Sequence, residues 1–456
     1  MTPNPHSWEQ RELRSFFHTF SDLPSLQQDG PTVMERGDGM YVYDTEGNRY
    51  LEANAGLWNM TLGFSEHRLA RVAAKQYEAL PGYHTFFGRN SQPAVALAER
   101  MLELAPAPMS RVFFTNSGSE ANESVVKLLW LMWSGEGQPQ RRKLISRKGA
   151  YHGSAVMTSS LTGKDYVKAF GLPLPEVVMA DCPHAWRYGN AGESDDAFCH
   201  RLADNLERLI LAEGTDTIAG FFAEPVQGAG GVIVPPASYF KRIQPILRRH
   251  GIPLVADEVI CGFGRTGNIW GCQTLDIAPD IIVASKSMSA GYFPMGAVML
   301  SKQIDTRVTE ACQQWEEFPH GFTTAGHPVG CAVSLEAIRI IVEDGVLENV
   351  RTQSKPFQSR LSAMAEHPMV AEARGVGLMG ALEIVADKST RQAFPGAARI
   401  GERIARAARL RGLIVRPLGS SLVLAPAFIL TGAQNDWIFS TLESVLDQTY
   451  RELSGG

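Results

Sequence analysis

Cysteine is scarce in this chain, and its spacing excludes the common metal and disulfide motifs. The 456 residues contain six cysteines and no Cys-X-X-Cys pair: Cys182, Cys199, Cys261, Cys272, Cys312 and Cys331. Such scattered thiols are typical of a reducing compartment and are unlike a disulfide framework or a zinc site. We therefore expect a cytoplasmic protein without a bound metal.

Long apolar runs and a strong net charge are also absent. No uninterrupted apolar segment approaches the roughly 20 residues that a membrane helix needs, and Met1–His6 lacks the charged and apolar regions of a signal peptide. The formal net charge of -5 is small for this length. These features predict no membrane and no nucleic-acid partner. The short basic cluster Arg141–Lys143 is interpreted as a solvated loop.

The composition is that of a globular protein, with 44% hydrophobic and 20% charged residues. Between about residues 110 and 300, short apolar runs alternate with longer helical stretches, which predicts a mostly parallel sheet covered on both faces. The predicted strands lie at 112–114, 143–145, 218–222, 252–256 and 281–283. Helical sequence at 332–342 and 399–411, with strand signals at 413–415 and 422–424, predicts a smaller α/β domain. The fold class is therefore α/β.

One predicted strand ends in a lysine. The run Asp280–Ser287 is apolar until it reaches Ser285 and Lys286. A buried ammonium is costly, and burial lowers the pKa of a lysine until it can serve as an amine nucleophile. The alternative is a lysine at a strand end that simply reaches solvent.

Other predicted strands end in residues suited to a flat anionic ligand, because ligands of open parallel sheets gather at the strand carboxyl ends. Ser117 with Glu120 three residues later fits a capping box at the start of a helix, where Gly118 and the free N–H groups suit a phosphate. A plain helix cap is the alternative. Asp257 could be a metal ligand, a general base, an ion-pair partner or the acid that keeps a pyridinium protonated. Glu224 follows another strand, and Tyr151 offers an aromatic face for stacking.

The ordered motifs resemble those of the class III pyridoxal-phosphate aminotransferases. They are SGSEA at 117–121, YHG at 151–153, AEPVQG at 223–228, DEVICGFGRTG at 257–267, SK at 285–286 and HGFTTAGHPVG at 320–330. The resemblance extends from about Leu26 to Phe428. Further similarity at 56–60, 83–89 and 416–419 points to the (S)-selective amine–pyruvate branch, the ω-transaminases. It implies a fold type I transferase with an N-terminal segment (1–59), a large cofactor domain (60–325) and a small domain (326–456).

The resemblance implies a role for each matching residue. Lys286 would bond to pyridoxal 5'-phosphate and move the substrate proton, and Asp257 would pair with the pyridine nitrogen. The cofactor-binding residues would be Ser117, Gly118, Ser119, Tyr151, His152, Glu224, Asp257, Val259, Lys286 and Thr323. Thr323 would act from the neighbouring subunit, which implies a homodimer with shared active sites, or a dimer of such dimers. The substrate-binding residues would be Phe20, Leu57, Trp58, Phe86, Phe87, Tyr151, Ala229 and Arg416.

Two departures from the family pattern bear on the substrate. Relatives that use 2-oxoglutarate carry a glutamate where this chain has Ala229, and a glutamine where it has Ile260. Without that acid, Arg416 would be free to bind the carboxylate of pyruvate and to swing away for an apolar amine. Without the resemblance, Arg416 would be a surface ion-pair residue, and Trp58, Phe86 and Phe87 would be ordinary core residues.

The expected reaction moves an amino group from an amine donor to pyruvate, giving a ketone or aldehyde and L-alanine by a ping-pong cycle. β-Alanine, taurine, polyamines and aryl amines all stay open as donors. An aminomutase or decarboxylase on the same scaffold is an alternative enzyme, and a cofactor-binding regulator without turnover is an alternative of another class.

Overall fold

The computed structural model describes residues 6–454. The strands, in chain order, are β1 (Met34–Asp38), β2 (Tyr41–Asp44), β3 (Arg49–Glu52), β4 (Met109–Thr115), β5 (Lys143–Arg147), β6 (Val177–Ala180), β7 (Ile218–Ala223), β8 (Leu254–Asp257), β9 (Ile281–Ala284), β10 (Gly296–Ser301), β11 (Val370–Val376), β12 (Met379–Ile384), β13 (Leu413–Ile414), β14 (Arg416–Leu418) and β15 (Ser421–Leu424).

The helices surround these strands. They are α1 (Trp8–Ser15), α2 (Leu23–Asp29), α3 (Ala55–Trp58), α4 (His67–Ala79), α5 (Gln92–Glu103), α6 (Gly118–Gly135), α7 (Val156–Leu161), α8 (Ala185–Tyr188), α9 (Asp195–Glu213), α10 (Tyr239–Arg249), α11 (Gly271–Leu275), α12 (Lys302–Cys312), α13 (Pro328–Glu343), α14 (Val346–Ala363), α15 (Ile400–Arg409) and α16 (Gly432–Ser454). None of the helices in residues 6–454 is both long enough and apolar enough to cross a membrane.

A seven-stranded sheet in the order β4-β10-β9-β8-β7-β5-β6 forms the centre of the molecule. Its neighbours from β9 to β6 are parallel, whereas β10 is antiparallel to both β4 and β9. The prediction of a mostly parallel α/β sheet is confirmed. The predicted strands lie in β4, β5, β7, β8 and β9, while β6 and β10 were not predicted.

Alternate residues of the central strands pack on opposite faces of the sheet. Phe222, Val255 and Val283 lie in one buried cluster together with the α6 residue Leu129. Their chain neighbours Phe221 and Ala256 belong to the other large cluster. Period-two alternation with both faces apolar explains why these strands read as continuous hydrophobic runs in the sequence.

Two smaller sheets complete the fold. One has the order β1-β2-β3-β13 and the other β11-β12-β15-β14. The parallel pairing of β13 with β3 joins the N-terminal segment to the C-terminal part of the chain. The division into segments 1–59, 60–325 and 326–456 stays a prediction, although this pairing is what a shared N- and C-terminal unit requires.

The basic cluster at 141–143 is not a solvated loop. Arg141 is buried, donates a hydrogen bond to the carbonyl of Ile218 at 2.9 Å and lies 3.7 Å from the ring centroid of Trp133. Lys143 begins β5. The interpretation was wrong because it ignored the neighbouring aromatic residues, on which an arginine stem and guanidinium can stack.

Helix α6 lies against α12 so closely that a side chain does not fit between them. A Cβ atom on Gly135 would lie 2.4 Å from the Cβ of Ala311 and 2.8 Å from its Cα. We expect Gly135→Ala to lower the free energy of unfolding by about 1–3 kcal/mol, the usual cost of overpacking. Urea unfolding checks this, with Gly432→Ala as the control, since nothing lies within 4 Å of a Cβ there. Equal midpoints for the two variants would contradict the expectation.

Candidate active site

The parallel strands end at one edge of the sheet, and a cavity of about 130 Å³ lies there. Because β9, β8 and β7 are adjacent, the residues that follow or end them, Lys286, Asp257 and Glu224, come together. The lining residues are Gly118, Ser119, Asn122, Tyr151, His152, Gly153, Glu224, Asp257, Val259, Ile260, Ser285 and Lys286. Eight of the residues predicted to bind the cofactor thus lie in one cavity.

Lys286 occupies a strained position in this cavity. Its φ of 39° lies in the left-handed region, which a lysine seldom adopts without support from its surroundings. Part of its surface faces the cavity, yet protein atoms surround the amine. Desolvation therefore lowers the pKa of Lys286, against the opposing charges of Asp257 and Glu224, and the Arg416 guanidinium lowers it further. The amine is suited to act as a nucleophile and to carry a proton.

Asp257 is buried and held by three hydrogen bonds. Its Oδ2 faces the Nδ1 of His152 at 2.7 Å and accepts from the Nδ2 of Asn122 at 2.8 Å. Its Oδ1 accepts from the backbone N–H of Val259 at 3.1 Å and lines the cavity with the rest of the residue. A carboxylate with such partners is fixed in place, ready to face a positively charged nitrogen.

Asn122 was missed in the sequence. Its amide also donates to the carbonyl of His152 at 2.9 Å, so one side chain links α6 to the Asp257 carboxylate and to the backbone of His152. The signal was present, because Asn122 follows Gly118 by four residues and therefore lies on the same face of α6.

Glu224 supports the backbone of the site. One carboxylate oxygen accepts from the N–H of Tyr151 at 3.1 Å and the other from the N–H of Gly228 at 2.9 Å. Arg147 donates to the carbonyl of Glu224. Burial raises the pKa of Glu224, while the charges of His152 and Arg147 oppose that rise. Glu224 thus joins the segment after β5 to the segment after β7.

The start of α6 offers a site for an anion. Ser117 caps the helix by accepting from the N–H of Glu120 at 3.1 Å, but the Glu120 carboxylate turns to the N–H of Asn116 at 2.7 Å, so the predicted capping box is incomplete. A Cβ on Gly118 would lie 2.8 Å from a methyl of Val259. Glycine therefore leaves a crevice beside unpaired helix N–H groups, which suits a phosphate.

Of the predicted substrate residues, Tyr151 lines this cavity and three more lie near it. Trp58 is buried in the same apolar cluster as Ile260, which lines the cavity. Ala229 is buried, and its carbonyl accepts a hydrogen bond from the Nζ of Lys164. Arg416 is half-buried, and within residues 6–454 no carboxylate forms an ion pair with it. Its effect on the pKa of Lys286 places the guanidinium within electrostatic reach of the amine.

The other predicted residues lie outside the cavity of their own chain. Phe86 and Phe87 line a separate cavity of about 470 Å³ with Phe318 and His320. Phe20, Leu57 and Thr323 are exposed. The single chain therefore assembles the Lys286 end of the site and leaves these side chains on its surface.

Comparisons with known proteins agree with this geometry. The family model "Aminotransferase class-III" matches residues 25–446. The PMP-bound form of an aminotransferase from Vibrio fluvialis has a TM-score of 0.97 at 52% identity and covers 99% of this chain and 100% of its own. An ω-aminotransferase from Paracoccus denitrificans has a TM-score of 0.96 at 52% identity over 98% of this chain and 99% of its own.

A plant enzyme is similar over nearly the same range. Gamma aminobutyrate transaminase 3, a chloroplastic enzyme of Solanum lycopersicum, is 43% identical over 421 residues, which is 92% of this chain and 81% of its own. The lysine in a strained turn, the fixed carboxylate opposite it and the glycine crevice at a helix start fit pyridoxal phosphate. The chain belongs to the class III aminotransferases and is a pyridoxal-phosphate-dependent transaminase with the fold of the type I transferases.

Proposed function

We propose that this transaminase takes the amino group of a primary amine or ω-amino acid and passes it to pyruvate, giving a ketone or aldehyde and L-alanine. The observation that carries the proposal is the Arg416 guanidinium, which lies near Lys286 without a carboxylate partner in residues 6–454. A guanidinium binds a carboxylate through two parallel hydrogen bonds. Ala229, in place of an acid, leaves it available for the carboxylate of a small oxo acid.

The cofactor roles follow the family resemblance, and eight of the ten residues line the cavity. Lys286 would bond to the cofactor, and the Asp257 carboxylate would accept the pyridine N–H. Tyr151 and Val259 would cover the two faces of the ring, with His152 and Glu224 holding Asp257 and Tyr151 from behind. The phosphate site would consist of Ser117, Gly118 and Ser119 at the start of α6, with Thr323 from a second copy.

Bound pyridoxal phosphate supplies the electron sink that allows the C–H bond beside the amino group to ionise. The chain supplies the rest. The lowered pKa of the Lys286 amine lets it accept that proton at Nζ and release it again. Asp257, fixed by His152 and Asn122, would keep the pyridine nitrogen of the bound cofactor protonated. Arg416 orients the acceptor by its carboxylate.

Apolar side chains favour an uncharged donor group. Trp58 and Ile260 form part of one buried apolar cluster beside the cavity, and burial of an aryl or alkyl group against them is favourable. The tomato relative is named for γ-aminobutyrate, an ω-amino acid, so β-alanine, taurine and polyamines also belong in the test. A donor panel with pyruvate, read as alanine formed, tests the proposal. Product formation without any acceptor would instead indicate an aminomutase.

The active form would be a homodimer that shares its active sites. Phe20 and Phe87 are 78% and 82% exposed, and a second copy would cover such large apolar groups. A dimer of dimers would extend the same contacts. The enzyme would act in the cytoplasm, since the cysteines in residues 6–454 are free thiols.

We expect Lys286→Ala to abolish turnover without unfolding the protein, because no other amine in the cavity can replace it. The measurements are alanine formation and the thermal unfolding midpoint, together with the near-visible absorbance of bound cofactor after gel filtration. Lys148→Ala, on the surface beside Asp181, is the control and should keep normal activity. Normal turnover in Lys286→Ala would disprove the assignment.

Asp257→Asn should keep the cofactor and lose most activity, because a neutral amide cannot hold the pyridine nitrogen protonated. Loss of a charge-assisted hydrogen bond at a buried group costs about 1.5–3 kcal/mol, roughly one to two orders of magnitude in rate. Single-turnover kinetics with an amine measure this. Activity like that of the unchanged enzyme would reduce Asp257 to a structural residue.

Arg416→Ala separates the two half-reactions. With 1-phenylethylamine the guanidinium has nothing to hold, so the first half-reaction should keep a near-normal rate. The rate of the second half-reaction, with pyruvate, should fall roughly thirtyfold, which corresponds to a loss of about 2 kcal/mol of binding to the transition state. Stopped-flow absorbance measures the rate of each half-reaction. The surface variant Arg351→Ala is the control and should keep both rates. Equal losses in both directions would mean that Arg416 supports the fold or the dimer instead.

A further inference from the structure

The turn that carries Trp58 is strained and needs an external support. Residues 55–58 include Ala55, Gly56 and Trp58 with φ values of 47°, 65° and 69°. Two of these residues are not glycine, and side chains in the left-handed region cost free energy unless the surroundings hold them there. The turn therefore depends on contacts outside itself.

Glu52, the last residue of β3, provides that support. One of its carboxylate oxygens accepts from the N–H of Asn54 at 2.8 Å and the other from the N–H of Gly56 at 2.6 Å. The side chain is buried, with 7% of its surface exposed. Within residues 6–454 no cationic side chain forms an ion pair with Glu52. Its hydrogen-bond partners are the two backbone N–H groups.

The same turn is tied to the backbone of Arg416. With its amide oriented to satisfy its neighbours, Asn54 accepts from the N–H of Arg416 at 2.8 Å and donates to the carbonyl of Val423 at 3.0 Å. The N–H of Ala53, which lies between Glu52 and Asn54 in the chain, donates to the carbonyl of Ile414 at 3.0 Å. One short segment thus joins the aromatic wall of the substrate pocket to the strand that carries the acceptor arginine.

We propose that Glu52 is a positioning residue, whose ionised carboxylate holds the turn at 54–58 and thereby sets both Trp58 and Arg416 for substrate binding. The proposal rests on the proposed function for the use of both residues, Arg416 toward the acceptor and Trp58 toward the donor. A carboxylate can accept both N–H donors at once. A protonated acid or an amide offers one good acceptor and turns a donor toward the second N–H.

The ionisation of Glu52 falls in the working range of pH. Burial raises the pKa of Glu52 to about 7, and the hydrogen bonds from the N–H groups of Asn54 and Gly56 oppose the rise. No charged side chain contributes to this shift. The full support of the turn is therefore present above pH 7 and is lost as the pH falls through that value.

The test compares Glu52→Gln with the unchanged enzyme at pH 8.5 and pH 6. At pH 8.5 we expect the half-saturating concentrations of pyruvate and of 1-phenylethylamine to rise about tenfold, the effect of one lost charge-assisted hydrogen bond. The limiting rates should stay within about twofold, because Lys286 and Asp257 are untouched. At pH 6 the half-saturating concentrations of the variant and of the unchanged enzyme should become nearly equal, because Glu52 is then itself protonated.

Asp44→Asn is the matched control. Asp44 is another buried carboxylate that accepts two backbone N–H groups, those of Glu46 and Asn48, but it belongs to a turn away from the cavity. The Asp44→Asn variant should have a lower thermal unfolding midpoint, while its half-saturating concentrations of pyruvate and 1-phenylethylamine stay unchanged at both pH values. The same saturation change in this control, or a Glu52→Gln penalty that is equal at both pH values, would overturn the proposal.

A second variant covers the case in which Glu52→Gln does not fold. Asn54→Ala cuts the tie to Arg416 from the other side and should raise both half-saturating concentrations at both pH values; unchanged values would overturn the proposal. If the unchanged enzyme forms no alanine from pyruvate, the proposed acceptor fails on its own. The amine half-reaction still tests Glu52, because it needs no acceptor and depends on the donor side of the site, to which Trp58 is assigned.

Discussion

The burial of charge at the carboxyl edge of the central sheet is the constraint on which the site depends. Lys286, Asp257 and Glu224 follow or end three adjacent strands, and all of them lie in one cavity. Burial lowers the pKa of the lysine and raises that of Glu224. Charges in such a place persist only with partners at hydrogen-bond distance. The partners of Asp257, the His152 and Asn122 side chains, are therefore as much a part of the site as the residues that face the cofactor.

Buried carboxylates hold irregular backbone at several points around the cavity. Glu224 accepts the N–H groups of two segments, and Glu52 does the same within the turn before Trp58. Glu258, beside Asp257, accepts from the N–H groups of Gly271 and Cys272 at 2.9 and 2.6 Å. Each carboxylate fixes two donors that a loop would otherwise leave unpaired. The chain uses acids as backbone supports where strands and helices cannot supply the hydrogen bonds.

The clustering of the strand-end residues could be predicted from the sequence, and the reason is geometric. Apolar runs mark parallel strands, and parallel strands deliver their last residues to one edge, so Lys286, Asp257 and Glu224 could be placed together before the fold was known. Arg141 and β10 show the limit of that argument. The stacking of Arg141 on Trp133 joins separate elements, and the antiparallel direction of β10 depends on where its partners lie. Neither follows from a local pattern.

The substrate end could be predicted only through the family resemblance, because its residues come from distant parts of the chain. Trp58 follows β3, whereas Arg416 begins β14. The pairing of β13 with β3 and the hydrogen bonds of Asn54 to Arg416 and Val423 bring their backbones together. Phe20 and Phe87 remain on the surface of the single chain. In the proposed homodimer one chain would supply Lys286, Asp257 and Glu224, and Thr323 of the second copy would complete the phosphate site. The donor pocket would be closed by side chains of both chains. A change of donor preference during evolution would then require substitutions in the loops and at the dimer contact, and none at the edge of the central sheet.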